Sequence, residues 1–399
     1  MPSAETLDPS TQLPQHRAGV QVNQADQANN RVDGTDRLWR VTGNGGNGSV
    51  GERARRTVGR WPQVDAADGR PLRVLHFCDS LEPSGVGEHI YLLARELRAQ
   101  GYEQALVCPD VPASQPLLER CAGLGLDVYG LCVRSAEDAH DSQRFVRLLR
   151  HSGYDLVHNH AGIAWEGCWG TFAAAEAGVA VVCTEHLPYM MPDPTGRPMK
   201  LRATRLLMGA IAVSHGIART LLDAEVIAPD RLHVVWNGID LSAFSRPWQP
   251  AARRSLLGLD PQRPLVVCVG RMTSQKRHDL LLDAIALVRR QAPDLAGLTL
   301  ALAGDGPLRE NLVHQVARLG LEEMVRFLGS FTRVPELLSC ADVFAQPSEF
   351  EGLPLAVLEG MAAGLPAVVT DTIGTNETVV HGQSGLVVPP DDPAALAGA

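Results

Sequence analysis

The chain has 399 residues, 45% of them hydrophobic and 20% charged, with a formal net charge of −9 at pH 7. That length holds two domains of ordinary size plus a tail, and the apolar fraction is that of a globular protein with a substantial core. The acidic balance excludes general nucleic-acid binding, which needs a basic surface, but leaves room for a local cationic pocket around a phosphorylated ligand.

Residues 1–70 are rich in Gln, Asn, Gly, Asp and Arg and have no periodic apolar pattern. Such a segment cannot bury enough surface to offset its ordering entropy, so a disordered tail is expected. It holds no apolar h-region, and no run in the chain approaches the ~18 apolar residues of a spanning helix, so a cytoplasmic protein is expected. An apolar strand is predicted over 72–78, then a Pro/Gly loop over 79–87. The spacing of Ile90, Leu93, Ala94 and Leu97 predicts a helix over 88–100 with Gly101 as its stop. Further strands are predicted at 104–108, 156–158, 179–184, 210–213 and 233–235, with helical stretches between them. Strands alternating with helices imply a parallel sheet covered on both faces.

The rhythm restarts after a Pro-containing link over 244–250. Strands are predicted at 265–269, 298–303, 325–328, 343–346, 367–369 and 386–388, with a helix over 279–290. The expectation is therefore a tail over 1–70 and two α/β domains over 71–243 and 244–399, each a Rossmann-like doubly wound parallel sheet. Such sheets bind ligands at the carboxyl ends of their strands, so two facing sheets imply a cleft. Asp391-Asp392-Pro393 reads as a capped helix start near the end of the chain. The eight cysteines, Cys78, Cys108, Cys121, Cys132, Cys168, Cys183, Cys268 and Cys340, form no C-x-x-C pair. Most sit in apolar runs and read as buried, reduced thiols.

The most informative stretch runs from Glu349 to Gly364. Pro354 suits the first turn of a helix that ends at Gly364, which puts Glu351 in the loop after a strand and Glu359 on the helix. Amides of Gly352, Leu353 and Leu355 then form a helix N-terminus suited to a diphosphate. The two carboxylates suit sugar and ribose hydroxyls, or equally a solvated loop and a helix surface. Gly270-Arg271 and Lys276 follow the 265–269 strand, and an Arg fork with a Lys point charge suits a pyrophosphate. Gly304-Asp305-Gly306 ends the next strand as a tight turn or a ligand contact.

On these residues the chain resembles glycosyltransferase family 4, the retaining GT-B enzymes of the group 1 type. The matching features are Gly270-Arg271 with Lys276, Glu351-Gly352-Leu353-Pro354 with Glu359, and Asn237-Gly238-Ile239-Asp240. The resemblance implies a nucleoside-diphosphate sugar as donor substrate, with no separate cofactor. It gives Glu351 the sugar hydroxyls, Glu359 the ribose, and Arg271 and Lys276 the diphosphate. The family's glycine-rich loop is matched by Ser84-Gly85-Val86-Gly87-Glu88-His89, so Gly85 and Gly87 are carried over; Ser84 stands where a second glycine is common. His186, after Cys183-Thr184-Glu185, matches a histidine beside the donor sugar, and His160 matches an acceptor-side position. His158-x-His160 lacks a carboxylate or third ligand in sequence, and no metal is expected. Family members continue beyond this chain's last helix, so a truncated C-terminal domain is expected.

The resemblance implies transfer with retention to a glycan, lipid-linked or small-molecule acceptor. Nucleotide-sugar binding without transfer, or an epimerase or phosphorylase on the same fold, are the alternatives. A nicotinamide oxidoreductase is excluded, because Ile90 occupies the third glycine position of that fingerprint. Arg144, Arg147 and Arg150, and Lys200, Arg202 and Arg205 beside Leu206-Leu207-Met208, suit either weak contact with anionic lipid or solvated helix faces.

Overall fold

In a computed structural model the described residues are 69–399, apart from 164, 191–195, 245–253, 256 and 296. They all fall in one structural unit. The tail expected over 1–70 and the link expected over 244–250 lie almost wholly outside the described residues.

Runs of Val, Leu, Ala and Cys build two parallel sheets, because strands buried on both faces need apolar side chains on both. The first contains β1 (Arg73–Phe77), β2 (Glu103–Cys108), β3 (Asp127–Gly130), β4 (Leu156–Ala161), β5 (Ala180–Glu185), β6 (Gly209–Ala212) and β7 (Leu232–Val234). Its order is β3-β2-β1-β4-β5-β6-β7. The second contains β8 (Leu265–Val269), β9 (Thr299–Ala303), β10 (Val325–Gly329), β11 (Val343–Gln346), β12 (Ala367–Thr370) and β13 (Gly385–Val388), in the order β10-β9-β8-β11-β12-β13. All pairings within both sheets are parallel. Each sheet reverses direction of winding at its middle, between β1 and β4 and between β8 and β11. Crevices open at such switch points, outside the strands' carboxyl ends.

The expected strands are all present, and β3 is an addition. It is a four-residue edge strand, Asp-Val-Tyr-Gly, too short and too polar to stand out as an apolar run. The first helix, α1 (Ser84–Ala99), starts four residues earlier than its periodicity suggests. Gly85 and Gly87 therefore lie in its first turn and not in a loop, which corrects the glycine-loop expectation. A methyl group at Gly85 would meet nothing within 4 Å, so that site does not demand glycine for space.

The first core lies under α3 (Ala139–Ser152) and α4 (Cys168–Ala177), where Phe77 stacks on Phe145 with ring centroids 5.2 Å apart. Gly170 of α4 rides directly over this pair; an added Cβ would sit 2.3 Å from the Phe77 ring. In the second sheet α7 (His278–Gln291) buries Leu281, Ala284 and Ile285 against β8 and β9. All eight cysteines are free, and only Cys132 is not buried.

The two basic patches are in part built into the fold, with Leu206 and Met208 left exposed beside the second. Helix α3 buries Phe145, Val146 and Leu149, while Arg144 and Arg150 pair with Asp141 and Glu176. On α5 (Arg197–Leu206) Lys200 is no surface cation: it is buried against Glu185, Nζ to Oε1 2.7 Å. No helix among the described residues is long and apolar enough to cross a membrane.

Candidate functional site

The loops after β8 and β11 bring the C-terminal candidates together. Lys276 closes a single 3-10 turn (Ser274–Lys276), and its Nζ reaches Glu351 Oε1 at 2.6 Å. Gln346 at the end of β11 and Ser348 donate to the same oxygen at 2.6 and 2.7 Å. Three donors on one oxygen fix the buried carboxylate and leave its Oε2 to accept from a hydroxyl. Gly270 packs against the Lys276 stem, so the turn holds cation and glutamate as one unit. Helix α10 (Leu355–Ala362) begins at Pro354 with no side-chain cap, so its first-turn amides, beside Gly352 and Leu353, remain for an anion.

Glu359 lies on α10 as its spacing predicts. Burial, reinforced by the negative charge of Glu88 on α1, pushes its carboxyl up to about 7. A carboxylate held this high lacks compensating donors and is poised to gain them from a ligand. Arg271 is half-buried, which presses its pKa below the usual guanidinium value, and its guanidinium pairs with Glu82 in the loop after β1. The Arg and Lys are thus on one side of the crevice, but each is engaged by a carboxylate.

Across the crevice, β1, β4 and β5 present histidines. His160 is the penultimate residue of β4 and is buried; His186 follows β5, anchored by its N–H to Ala161 O at 2.8 Å. Their rings lie Nδ1 to Nε2 at 3.4 Å. His89 of α1 packs edge-on against His186, with centroids 4.7 Å apart. Burial, and the neighbouring rings, hold His158, His160 and His186 well below the ordinary imidazole range, and burial brings His76 and His89 down to about 4. These rings are neutral at physiological pH and offer hydrogen bonds, not charge. Two three-histidine groups, His76–His158–His160 and His89–His160–His186, have ligand-type atoms within 4.8 Å of one another. The third ring that His158-x-His160 lacks in sequence is therefore supplied by β1.

The two sets of loops touch. An added Cβ at Gly352 would sit 1.7 Å from the His186 carbonyl oxygen. Asn237 after β7 donates to Leu353 O at 2.9 Å. Helix α6 (His215–Asp223) starts at Ser214, and Glu377 after β12 accepts from its first amides, His215 N at 2.9 Å and Gly216 N at 2.6 Å. Arg95 pairs with Asp240 at 2.7 Å. The sequence singles out Asn237 and Asp240, and carries Glu88 and His89 at the end of its glycine-rich loop match, but gives no signal for Glu82, Gln104 or Glu377. Each of these is an ordinary residue in its local run, and only the fold gives it a partner: Glu82 and Glu377 across the crevice, Gln104 within its own sheet and on α1.

Known proteins resemble the chain across both of its sheets. Residues 83–243 match the family described as Glycosyltransferase Family 4, and residues 263–399 match Glycosyl transferases group 1. A D-inositol 3-phosphate glycosyltransferase of Frankia alni is 33% identical over 352 residues, covering 79% of this chain and 84% of the relative. Its counterpart in Jonesia denitrificans is 29% identical over 349 residues, with 79% and 82% covered. Among solved structures, Anabaena HepE in complex with UDP and glucose superposes with a TM-score of 0.69 at 22% identity, covering 82% of this chain and 88% of that one. That likeness concerns the fold, a two-domain GT-B arrangement.

Proposed function

We propose that this chain, which belongs to the group 1 glycosyltransferases with a family 4 N-terminal domain and is a glycosyltransferase, uses a nucleoside-diphosphate sugar as donor. It moves the sugar to a glycan, lipid-linked or small-molecule hydroxyl, with retention of anomeric configuration. The observation that carries this is the cluster at the carboxyl ends of β8 and β11. Two cations, an uncapped helix start, the buried Glu351 and the half-buried Glu359 meet there, facing His186.

In this reading the diphosphate lies at the amides of Gly352, Leu353 and Leu355. It takes Arg271 from Glu82, and Lys276 bridges it to Glu351. Glu351 Oε2 accepts from a sugar hydroxyl and Glu359 from the ribose. The bond from the anomeric carbon to the phosphate oxygen breaks as a bond to the acceptor oxygen forms on the same face. The acceptor's proton passes to the departing phosphate oxygen. Charge growing on that phosphate is stabilised by Arg271, Lys276 and the α10 amides. Glu351 is a poor nucleophile, because its charge is already spread over three donors. The cations come from side chains, so the proposed chemistry calls for no metal ion.

The test is a panel of UDP-, GDP- and ADP-sugars, scoring released nucleoside diphosphate beside Glu351→Ala and Arg271→Ala. UDP-sugars come first, because HepE is a structural neighbour with UDP and UDP-glucose bound. Release from one donor, lost in both variants, supports the reading; release that survives both overturns the site assignment.

A further inference from the structure

We propose that Gln104, His76 and His160 act as positioning residues that fix the ring of His186 as its Nε2–H tautomer, leaving Nδ1 as an acceptor for a ligand hydroxyl. These three side chains lie on neighbouring strands, β2, β1 and β4, and are buried together beneath α1. The order begins at an amide. Gln104 Nε2 donates to Ala94 O at 3.0 Å, and a carbonyl oxygen can only accept, so the amide cannot be turned round. Gln104 Oε1 must then be the acceptor in its 2.9 Å contact with His76 Nε2, which makes that nitrogen an N–H.

A neutral imidazole carries one N–H and one lone pair. His76 Nδ1 is therefore the acceptor in its 3.1 Å contact with His160, whose Nε2 must donate. His160 Nδ1 is then the acceptor in the next contact, at 3.4 Å, and His186 Nε2 must donate. The remaining nitrogen of His186, Nδ1, bears a lone pair and has no protein partner among the described residues. A second proton on His76 or His160 would place two donors face to face, and burial opposes a second proton at every ring, His186 included. His158 stands beside the relay and is engaged separately, through Nε2 and Thr184 Oγ1 at 2.7 Å.

A metal ion would need some of the same lone pairs. His76 and His160 have both ring nitrogens committed to this one-directional chain, and no carboxylate belongs to either three-histidine group. A hydrogen-bonded relay uses every one of those atoms, and a metal would have to break it. The functional consequence rests on the donor-site reading of His186: an acceptor nitrogen selects a hydroxyl, whereas an Nδ1–H would select a phosphate oxygen. The relay itself does not rest on that reading.

The experiment is NMR of the full chain labelled with 15N in histidine, with His186 signals assigned by their loss in His186→Asn. Long-range ring correlations are expected to give Nε2–H tautomers for His76, His160 and His186. Couplings across the hydrogen bonds should link His160 Nε2 to His76 Nδ1, and His186 Nε2 to His160 Nδ1. Gln104→Lys places a donor where the relay needs an acceptor and is expected to turn every ring to Nδ1–H. Gln104→Met, similar in length and apolar, removes the instruction without reversing it. Donor turnover should fall about tenfold or more in Gln104→Lys, as expected when one favourable hydrogen bond becomes a donor–donor contact, and less in Gln104→Met. An Nδ1–H or doubly protonated His186 in the unaltered protein at neutral pH overturns the proposal, as does stoichiometric zinc retained on the cluster. A folded Gln104→Lys protein with an unchanged His186 spectrum overturns it too. If no nucleotide-sugar is turned over, the donor reading fails while the spectra still decide the relay.

Discussion

Gly352→Ala is the sharpest test of how the two halves of the site meet. The backbone there is in an ordinary region, so an alanine brings no conformational strain and tests space alone. Its Cβ would stand 1.7 Å from His186 O and 3.1 Å from Val213 Cγ2, whereas ordinary van der Waals contacts begin at 3.4 Å. The loop carrying Glu351 must therefore retreat from His186 by about 1.7 Å. A misplacement of about 1 Å between reacting groups costs about 10²-fold in rate. We expect kcat/KM for the donor to fall at least about 100-fold, or about 2.7 kcal/mol of transition-state stabilisation. Nucleotide affinity should fall less than turnover, because Arg271, Lys276 and Glu359 lie outside the displaced segment and only the Gly352 end of the amide cradle moves. The assay is steady-state donor turnover with calorimetric binding of the nucleoside diphosphate. Gly364→Ala serves as the control: Gly364 has a φ of +77° and nothing within 4 Å of an added Cβ, so it strains the backbone without crowding the site. It should cost about 1 kcal/mol of stability and leave turnover intact. Turnover of Gly352→Ala within threefold of the unaltered protein would refute the claim that this contact exists in the reacting state.

Other substitutions probe separate parts of the structure. Glu359 has a carboxyl raised from 4.5 to about 7, so the folded state holds its proton more tightly than the unfolded chain and this group's contribution to stability falls as pH rises from 4.5 through 7. The ionised form is the better hydroxyl acceptor, so nucleotide affinity should rise with pH up to about 7 and then level off; titration calorimetry of Glu359→Gln should show that slope removed. Lys200→Met leaves Glu185 buried without its partner and should destabilise the fold by about 3–5 kcal/mol in urea melts, whereas Arg205→Met on the same helix should cost little. Glu377→Ala removes the acceptor from two amides at the start of α6 and should weaken the contact between the two sets of loops by about 1–3 kcal/mol, read as a lower kcat/KM with nucleotide affinity retained.

The sequence by itself determined the two parallel sheets and the order of their elements. Strand 265–269 and strand 343–346 are legible to the residue, because an apolar run flanked by Gly or Pro reports burial on both faces without reference to anything distant. Lys276, Arg271, Glu351 and Glu359 could be placed at strand ends or on a helix for the same local reason. Only the tertiary structure decided how these groups are engaged. Lys276 meets Glu351 across 75 residues, Arg271 meets Glu82 on the other sheet, and Glu377 meets Gly216 across 161. The same holds for Lys200, which looks like a surface cation until Glu185 is seen beside it, and for Gln104, a strand glutamine until its amide meets two other elements. Periodicity records which side of an element is buried. It carries no record of which distant side chain stands opposite, and that pairing is set by the order in which parallel strands are laid beside one another.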